Sequence, residues 1–175
     1  MLPSVFPTVV HLLADTVARC PAREALVIGG ERLRYADLLD CVAGFASELA
    51  ALGRGRLLHA ERIAILLPNS IEICIATWAA HAAGAQVVPL NPLYTERELE
   101  AILADAAPAV LIHDASNEAL VDSLVRRLRI RHAVAVVVGG GHLTRWKGSQ
   151  LPLPQPMPAP DDLAFVQYTG GTTGR

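Results

Sequence analysis

The chain has 175 residues, enough to bury one core of ordinary size. Hydrophobic residues make up 52% and charged residues 18%, which excludes a disordered chain and indicates a globular protein. A formal net charge of −2 gives no sign of the clustered basic face that nucleic-acid recognition requires.

The first periodic segment follows Thr8, a suitable helix cap, and places Val9, Leu12, Leu13, Thr16 and Val17 on one apolar face. Residues 25–28 and 32–35 flank Gly29-Gly30, a pair that supplies the positive φ angles of a tight hairpin. Residues 37–52 carry Leu38, Val42, Phe45, Leu49 and Leu52 at helical spacing, with Gly53 as a stop. Residues 63–67 form a near-continuous apolar strand broken by Pro68. Asn69 or Ser70 then caps a helix running to about Ala83, and Gly84 ends it.

The unit repeats. Residues 86–90 predict a strand, and Thr95 with Glu98 forms a capping box that opens a helix through Leu103. Residues 109–113 predict a third strand, 118–128 a helix and 133–138 a fourth strand. Apolar strands separated by amphipathic helices predict an α/β fold: a mostly parallel, doubly wound sheet with helices on both faces. Residues 139–160, with Pro152, Pro154, Pro156, Pro158 and Pro160, predict an irregular or extended path. A last apolar run, residues 163–168, reads as a strand.

Several chemistries are disfavoured by spacing. Cys20, Cys41 and Cys74 are odd in number, far apart and set among apolar neighbours, as expected of small buried residues in a reducing compartment. No two histidines are three or four residues apart, so no helix presents a pair to one metal. There is no nucleophile elbow. The arginines at positions 126, 127, 129 and 131 are explained by the negative end of the preceding helix. The N-terminus has no basic region and is interrupted by Pro3, Pro7 and Asp15, unlike a signal peptide. The most apolar window, residues 71–90, contains Glu72, His81, Gly84 and Gln86 and so falls short of a spanning helix. A cytoplasmic location follows as the default, compatible with peripheral attachment at the inner face of the membrane.

The functional signal is at the end of the chain. Thr169, Gly170, Gly171, Thr172, Thr173 and Gly174 follow the last predicted strand directly. Glycines let backbone N–H groups approach a polyphosphate, and small hydroxyls add donors without bulk. A Walker loop is excluded, because Gly170 and Gly174 enclose three residues where that motif has four. Gly139-Gly140-Gly141 follow an apolar run but lead into His142-Leu143-Thr144, with no helix pattern of the kind a dinucleotide fingerprint needs.

Tyr168-Thr-Gly-Gly-Thr-Thr-Gly174 resembles the phosphate-binding signature of the adenylate-forming (AMP-binding) superfamily, with Arg175 in that signature's variable place. Asn91-Pro-Leu-Tyr-Thr95 is similar to a strand-to-helix segment of long- and medium-chain fatty acyl-CoA synthetases. Its local role is a structural turn, since Pro92 forces Asn91 into an extended conformation. Arg34-Tyr-Ala-Asp-Leu38 and Arg62-Ile-Ala-Ile-Leu-Leu-Pro-Asn69 are also similar to family segments, so the resemblance runs from about Thr8 to Arg175.

The resemblance implies residues 1–175 of a partial N-terminal AMP-binding domain. It implies a ligase that joins a fatty acid to AMP with loss of pyrophosphate and then passes the acyl group to CoA. Its cofactors and partners would be ATP/AMP, Mg²⁺, CoA and a fatty acid, with a homodimer allowed. Thr169, Gly170, Gly171, Thr172, Thr173 and Gly174 would hold the phosphates, and Thr172 would also contact Mg²⁺. No catalytic acid, base or nucleophile is assigned, since the substrate's own carboxylate attacks. The loop lysine, the adenine pocket, the fatty-acid tunnel and the C-terminal lid domain are not among the 175 residues, so this chain alone is expected to form no acyl-adenylate. Two alternatives remain: an adenylate-forming ligase for aryl or short-chain acids, and a non-catalytic α/β binding module.

Overall fold

A computed structural model describes residues 5–53 and 58–169. Four strands, β3 (Arg62–Leu66), β4 (Gln86–Pro89), β5 (Val110–Asp114) and β6 (His132–Val136), form one parallel sheet in the order β4-β3-β5-β6. Each coincides with a predicted strand within one or two residues. A separate hairpin, β1 (Glu24–Ile28) with β2 (Glu31–Arg34), turns through Gly29 and Gly30 at φ 58° and 90°.

The strand order explains why both faces are covered. The connection from β3 to β4 moves outward and the next one jumps back over β3 to β5. Right-handed crossovers therefore put α3 (Ile71–Ala82) on one face and α4 (Glu96–Ala106) with α5 (Glu118–Leu128) on the other. Strand residues alternate accordingly. Ile63, Ile65, Val87, Val110 and Ile112 pack with α2 (Tyr35–Leu52) and α3, while Ala64, Leu66, Val88 and Leu111 pack with Leu99, Leu103, Val121 and Leu124. Burial on both faces is the reason β3, β4 and β5 read as unbroken apolar runs, whereas the edge strand β6 leaves Ala133 and Ala135 exposed.

Caps set the helix boundaries. Ser70, not Asn69, caps α3, its Oγ accepting the Ile73 N–H at 3.2 Å. The Thr95–Glu98 capping box is complete. The helix it opens continues to Ala106, three residues past the predicted end, because Ala107 adopts the left-handed cap at φ 44° with no glycine to mark the stop. In α1 (Val9–Arg19) the buried residues are Val10 and Leu13; Val9 and Leu12, expected on the inner face, are exposed.

Two expectations are corrected. The irregular run over residues 139–160 contains a helix, α6 (His142–Gly148). It is seven residues long with no side-chain cap, so its sequence carries no helix signature, and tertiary contacts stabilise it. Trp146 is buried and stacks on Phe45 of α2, centroids 4.3 Å apart at 16°. Arg145 and Lys147 pair with Glu48 and Asp37 of α2 on its flanks. The other correction is the strand at 163–168, which reduces to a single bridge between Phe165 and Val87.

Candidate functional site

The candidate phosphate loop begins where residues 163–168 lie along the free edge of β4. Val87 N–H donates to the Ala164 carbonyl at 2.8 Å, and Val166 N–H donates to the Val87 carbonyl at 2.9 Å. The pairing is parallel, so at the bridge this segment runs toward the carboxyl ends of the sheet strands. In open α/β sheets that is the edge outside which ligands bind.

Alternation along the segment anchors it on both faces. Phe165 points to the α3 side, its ring 4.8 Å from that of His81 at 79°. Val166 and Tyr168 pack against the α4–α5 core on the other side. The Tyr168 hydroxyl donates to Asp105 Oδ2 of α4 at 2.5 Å. That hydrogen bond is the leading reason the phenol is pushed above its ordinary pKa, with burial and the Asp105 charge adding to it. Thr169, the first expected phosphate ligand, is exposed directly after this anchor. Gly170, Gly171, Thr172, Thr173 and Gly174 lie outside the described residues, so the expected Mg²⁺ contact at Thr172 does as well.

The Asn91–Thr95 segment is a turn, as its residues suggest. Asn91 Oδ1 accepts the Leu93 N–H at 2.9 Å, and the Asn91 carbonyl accepts the Tyr94 N–H at 3.0 Å. Glu98 Oε2 accepts from both the N–H and the hydroxyl of Thr95, each at 2.7 Å, which holds the Glu98 carboxyl below its ordinary range. Leu93 projects into solvent at 89% exposure, so this turn offers an apolar side chain and no acid–base group.

Three buried polar residues that were not site candidates from the sequence stand near the sheet ends. Glu72 is 1% exposed and its Oε1 accepts the Gly139 N–H at 2.8 Å. Since β5 lies between β3 and β6, this bond carries α3 across the sheet and ties it to the turn after β6. His113, at the carboxyl end of β5, donates from Nδ1 to the Asp114 carbonyl at 2.9 Å. His81 lies in the last turn of α3 and, among the described residues, has no partner at Nε2. The signal that could have found them is the same in each case: a lone ionisable residue inside an apolar run. Two arginines of the basic cluster are ion-paired, Arg127 to Glu96 and Glu100 and Arg131 to Glu61, while Arg126 lies in the last turn of α5 and Arg129 at its cap.

A cavity of about 190 Å³ lies behind the loop-bearing segment, bounded by Thr8, Val10, His81, Asp162, Leu163 and Ala164. Among the described residues, no three His, Cys, Asp or Glu side chains are grouped to hold a metal ion, and no helix is long and apolar enough to cross a membrane.

Comparison with known proteins identifies the setting of these features. Residues 13–175 match the AMP-binding enzyme family. The long-chain-fatty-acid–CoA ligase of Escherichia coli O157:H7 is 28% identical over 203 residues, covering 98% of this chain and 36% of the relative. The long-chain-fatty-acid–CoA ligase FadD13 of Mycobacterium tuberculosis is 31% identical over 144 residues, covering 82% of this chain and 28% of the relative. Among solved structures, the N-terminal domain of FACL13 from Mycobacterium tuberculosis superposes with a TM-score of 0.80 at 26% identity, covering 97% of this chain and 42% of that one. The chain thus spans about a third of the length of the curated relatives it matches.

Proposed function

We propose, from the premise that this chain belongs to the AMP-binding enzyme family, that it contributes the nucleotide-phosphate loop of a fatty acid–CoA ligase. The observation that carries this reading is the edge segment 163–168, fixed on both sheet faces by Phe165 and Tyr168 and running toward the carboxyl ends of the strands up to Thr169, where the Gly/Thr run begins in the sequence. The fatty-acid substrate is supported by the names of the relatives and by the Asn91–Thr95 turn.

In this reading the fatty-acid carboxylate attacks the α-phosphorus of ATP, pyrophosphate departs, and CoA then takes the acyl group from AMP. Negative charge grows on the departing pyrophosphate, and preorganised donors stabilise it. Backbone N–H groups of Gly170, Gly171 and Gly174 and the hydroxyls of Thr169, Thr172 and Thr173 would surround the β- and γ-phosphates. Hydroxyl oxygen is a fitting ligand for a hard cation, so Thr172 would also contact Mg²⁺. Bound there, Mg²⁺ would neutralise phosphate charge. Tyr168 holds the start of the loop through Asp105 and takes no part in proton transfer. A cytoplasmic location belongs to the same proposal.

The test is ATP–pyrophosphate exchange in the protein encoded by the full reading frame. Exchange is expected with palmitate, and Thr172→Ala should lower it about 10²–10³-fold, as loss of one preorganised donor commonly does. Preference for an aryl or short-chain acid would replace the fatty-acid assignment. Absence of exchange with every carboxylic acid would overturn the ligase reading. The 175 residues alone are expected to give none.

A further inference from the structure

We propose that His81 is a pH-sensitive latch that positions the phosphate loop, holding the edge segment against β4 while its ring is neutral and releasing it when the ring is protonated. The functional consequence rests on the phosphate-loop reading above; the latch itself does not.

The segment is the weakest addition to the sheet. β3 and β4 share a register of four residue pairs, whereas residues 163–168 reach β4 through one bridge and two backbone hydrogen bonds at Val87. Local opening begins at elements held by so few bonds. Side chains decide whether it stays closed, and on the α3 side the contact is Phe165 against His81. Phe165 is 47% exposed while His81 is 4% exposed, so the segment covers the histidine more than the histidine covers the segment.

The closed state suits only a neutral ring. Among the described residues the buried Nε2 has no hydrogen-bond partner, and the adjoining cavity is walled mainly by apolar groups. Burial pulls the His81 pKa below its ordinary value of 6.5, with a backbone hydrogen bond to Ala85 working the other way. No carboxylate contributes to the shift. From α1 and its cap the cavity receives Val9, Val10 and Thr8, none of them ionisable. From the 158–164 segment it receives Asp162, whose Oδ2 lies 3.9 Å from Nδ1 of His59 at the exposed rim. On α3 itself the other ionisable residues are Glu72 and Cys74, both in the first half of the helix, with burial pushing the Cys74 thiol up. Across the packing partners of α3, Asp37 and Glu48 of α2 pair with Lys147 and Arg145 of α6, and Asp40 of α2 lies in the same surface hollow as Lys147.

The sign follows from linkage. The closed state has the depressed pKa and the open state, with His81 in water, the ordinary one. Below the ordinary value the open state binds more protons, so falling pH favours opening by up to about tenfold per pH unit. Raising pH back above that value restores closure in full.

Amide exchange at Val87 and Val166, the two donors of the bridge, reads the latch directly. In the 175-residue chain, protection corrected for intrinsic exchange should be constant above about pH 7 and fall by up to about tenfold by about pH 5.5. His81→Gln and His81→Met, neutral at every pH and different in polarity, should show flat profiles. A double variant, His59→Gln with Asp162→Asn, should keep the wild-type response. The same fall in wild type and both His81 variants, or its loss in the rim variant, would overturn the latch. In the full reading frame, KM for ATP should rise over the same interval in wild type and not in His81→Gln, with kcat changing less. An exchange profile that switches with pH in a protein that binds ATP at neither pH would leave the latch standing and overturn the phosphate reading.

Discussion

Gly44 of α2 lies directly beneath the backbone of Trp146 in α6: a Cβ placed on Gly44 would collide with the Trp146 carbonyl oxygen and fall 2.6 Å from the Ser149 hydroxyl. The missing side chain lets α6 approach closely enough for Trp146 to stack on Phe45. In an exposed helix, Gly→Ala adds about 1 kcal/mol of stability through backbone entropy. Here the clash is with backbone, and overpacking of that kind costs about 1–3 kcal/mol or more. Gly44→Ala should therefore lower the midpoint of urea unfolding. A rise of the size seen in exposed helices would show that α6 does not pack on this face.

Glu72 should resist replacement unequally. Glu72→Gln keeps an oxygen for the Gly139 N–H and should unfold near the wild-type midpoint. Glu72→Leu removes that acceptor, and because Gly139 is exposed and its N–H can turn to water, the cost is that of one ordinary hydrogen bond, about 0.5–1.5 kcal/mol. The two unfolding curves settle it; equal loss from both variants would mean that the charge and not the hydrogen bond matters.

The Cys41 thiol should be nearly inert in the folded protein. Burial, its leading cause, raises the Cys41 pKa from 9.0 to about 11, with Lys147 pulling it down and Asp37 and Asp40 pushing it up. A rise of that size leaves about a hundredfold less thiolate at pH 8 than an ordinary cysteine has. Its Sγ is turned toward the Leu143 carbonyl at 3.6 Å. Labelling with an aromatic disulfide reagent, followed by peptide mapping, should find Cys41 modified only after denaturant is added.

The Tyr168 phenol should titrate above its ordinary range because it donates to Asp105. The raised phenol pKa means that the folded state holds its proton more tightly than the unfolded chain does. The contribution of this hydrogen bond is therefore fully present below the ordinary tyrosine value and is lost as pH rises through the folded one. Asp105→Asn should return the phenol toward its ordinary range in an ultraviolet titration. Tyr168→Phe should lower amide protection at Val166 without altering the α4 core. An unchanged tyrosine titration in Asp105→Asn would mean that the hydrogen bond does not form in solution.

Most of the secondary structure was legible in the sequence because local rules and tertiary needs agree. The helix caps at Thr8, Ser70 and Thr95 act on their own first turns, and Gly29-Gly30 demand the turn they make. The βα alternation likewise required a parallel sheet with helices on both faces, since strands apolar on both sides must be covered on both sides. The Gly/Thr run beginning at Thr169 and the Asn91–Thr95 turn pointed to the family for a similar reason: each is a contiguous string whose chemistry does not depend on distant residues.

What the sequence could not disclose depends on pairs far apart in the chain. α6 has no cap and too few residues to form alone, and exists because Phe45 and Gly44 receive Trp146. The sheet order and the crossing of Glu72 to Gly139, 67 residues away, follow from which strands pair. The anchoring of the candidate loop was decided in the same way. Residues 163–168 read as a strand like the others, yet they hold the sheet by one bridge and depend on His81 and Asp105, side chains from two helices on opposite faces. Periodicity records which face of an element is apolar; which surface meets that face is a property of the packed chain.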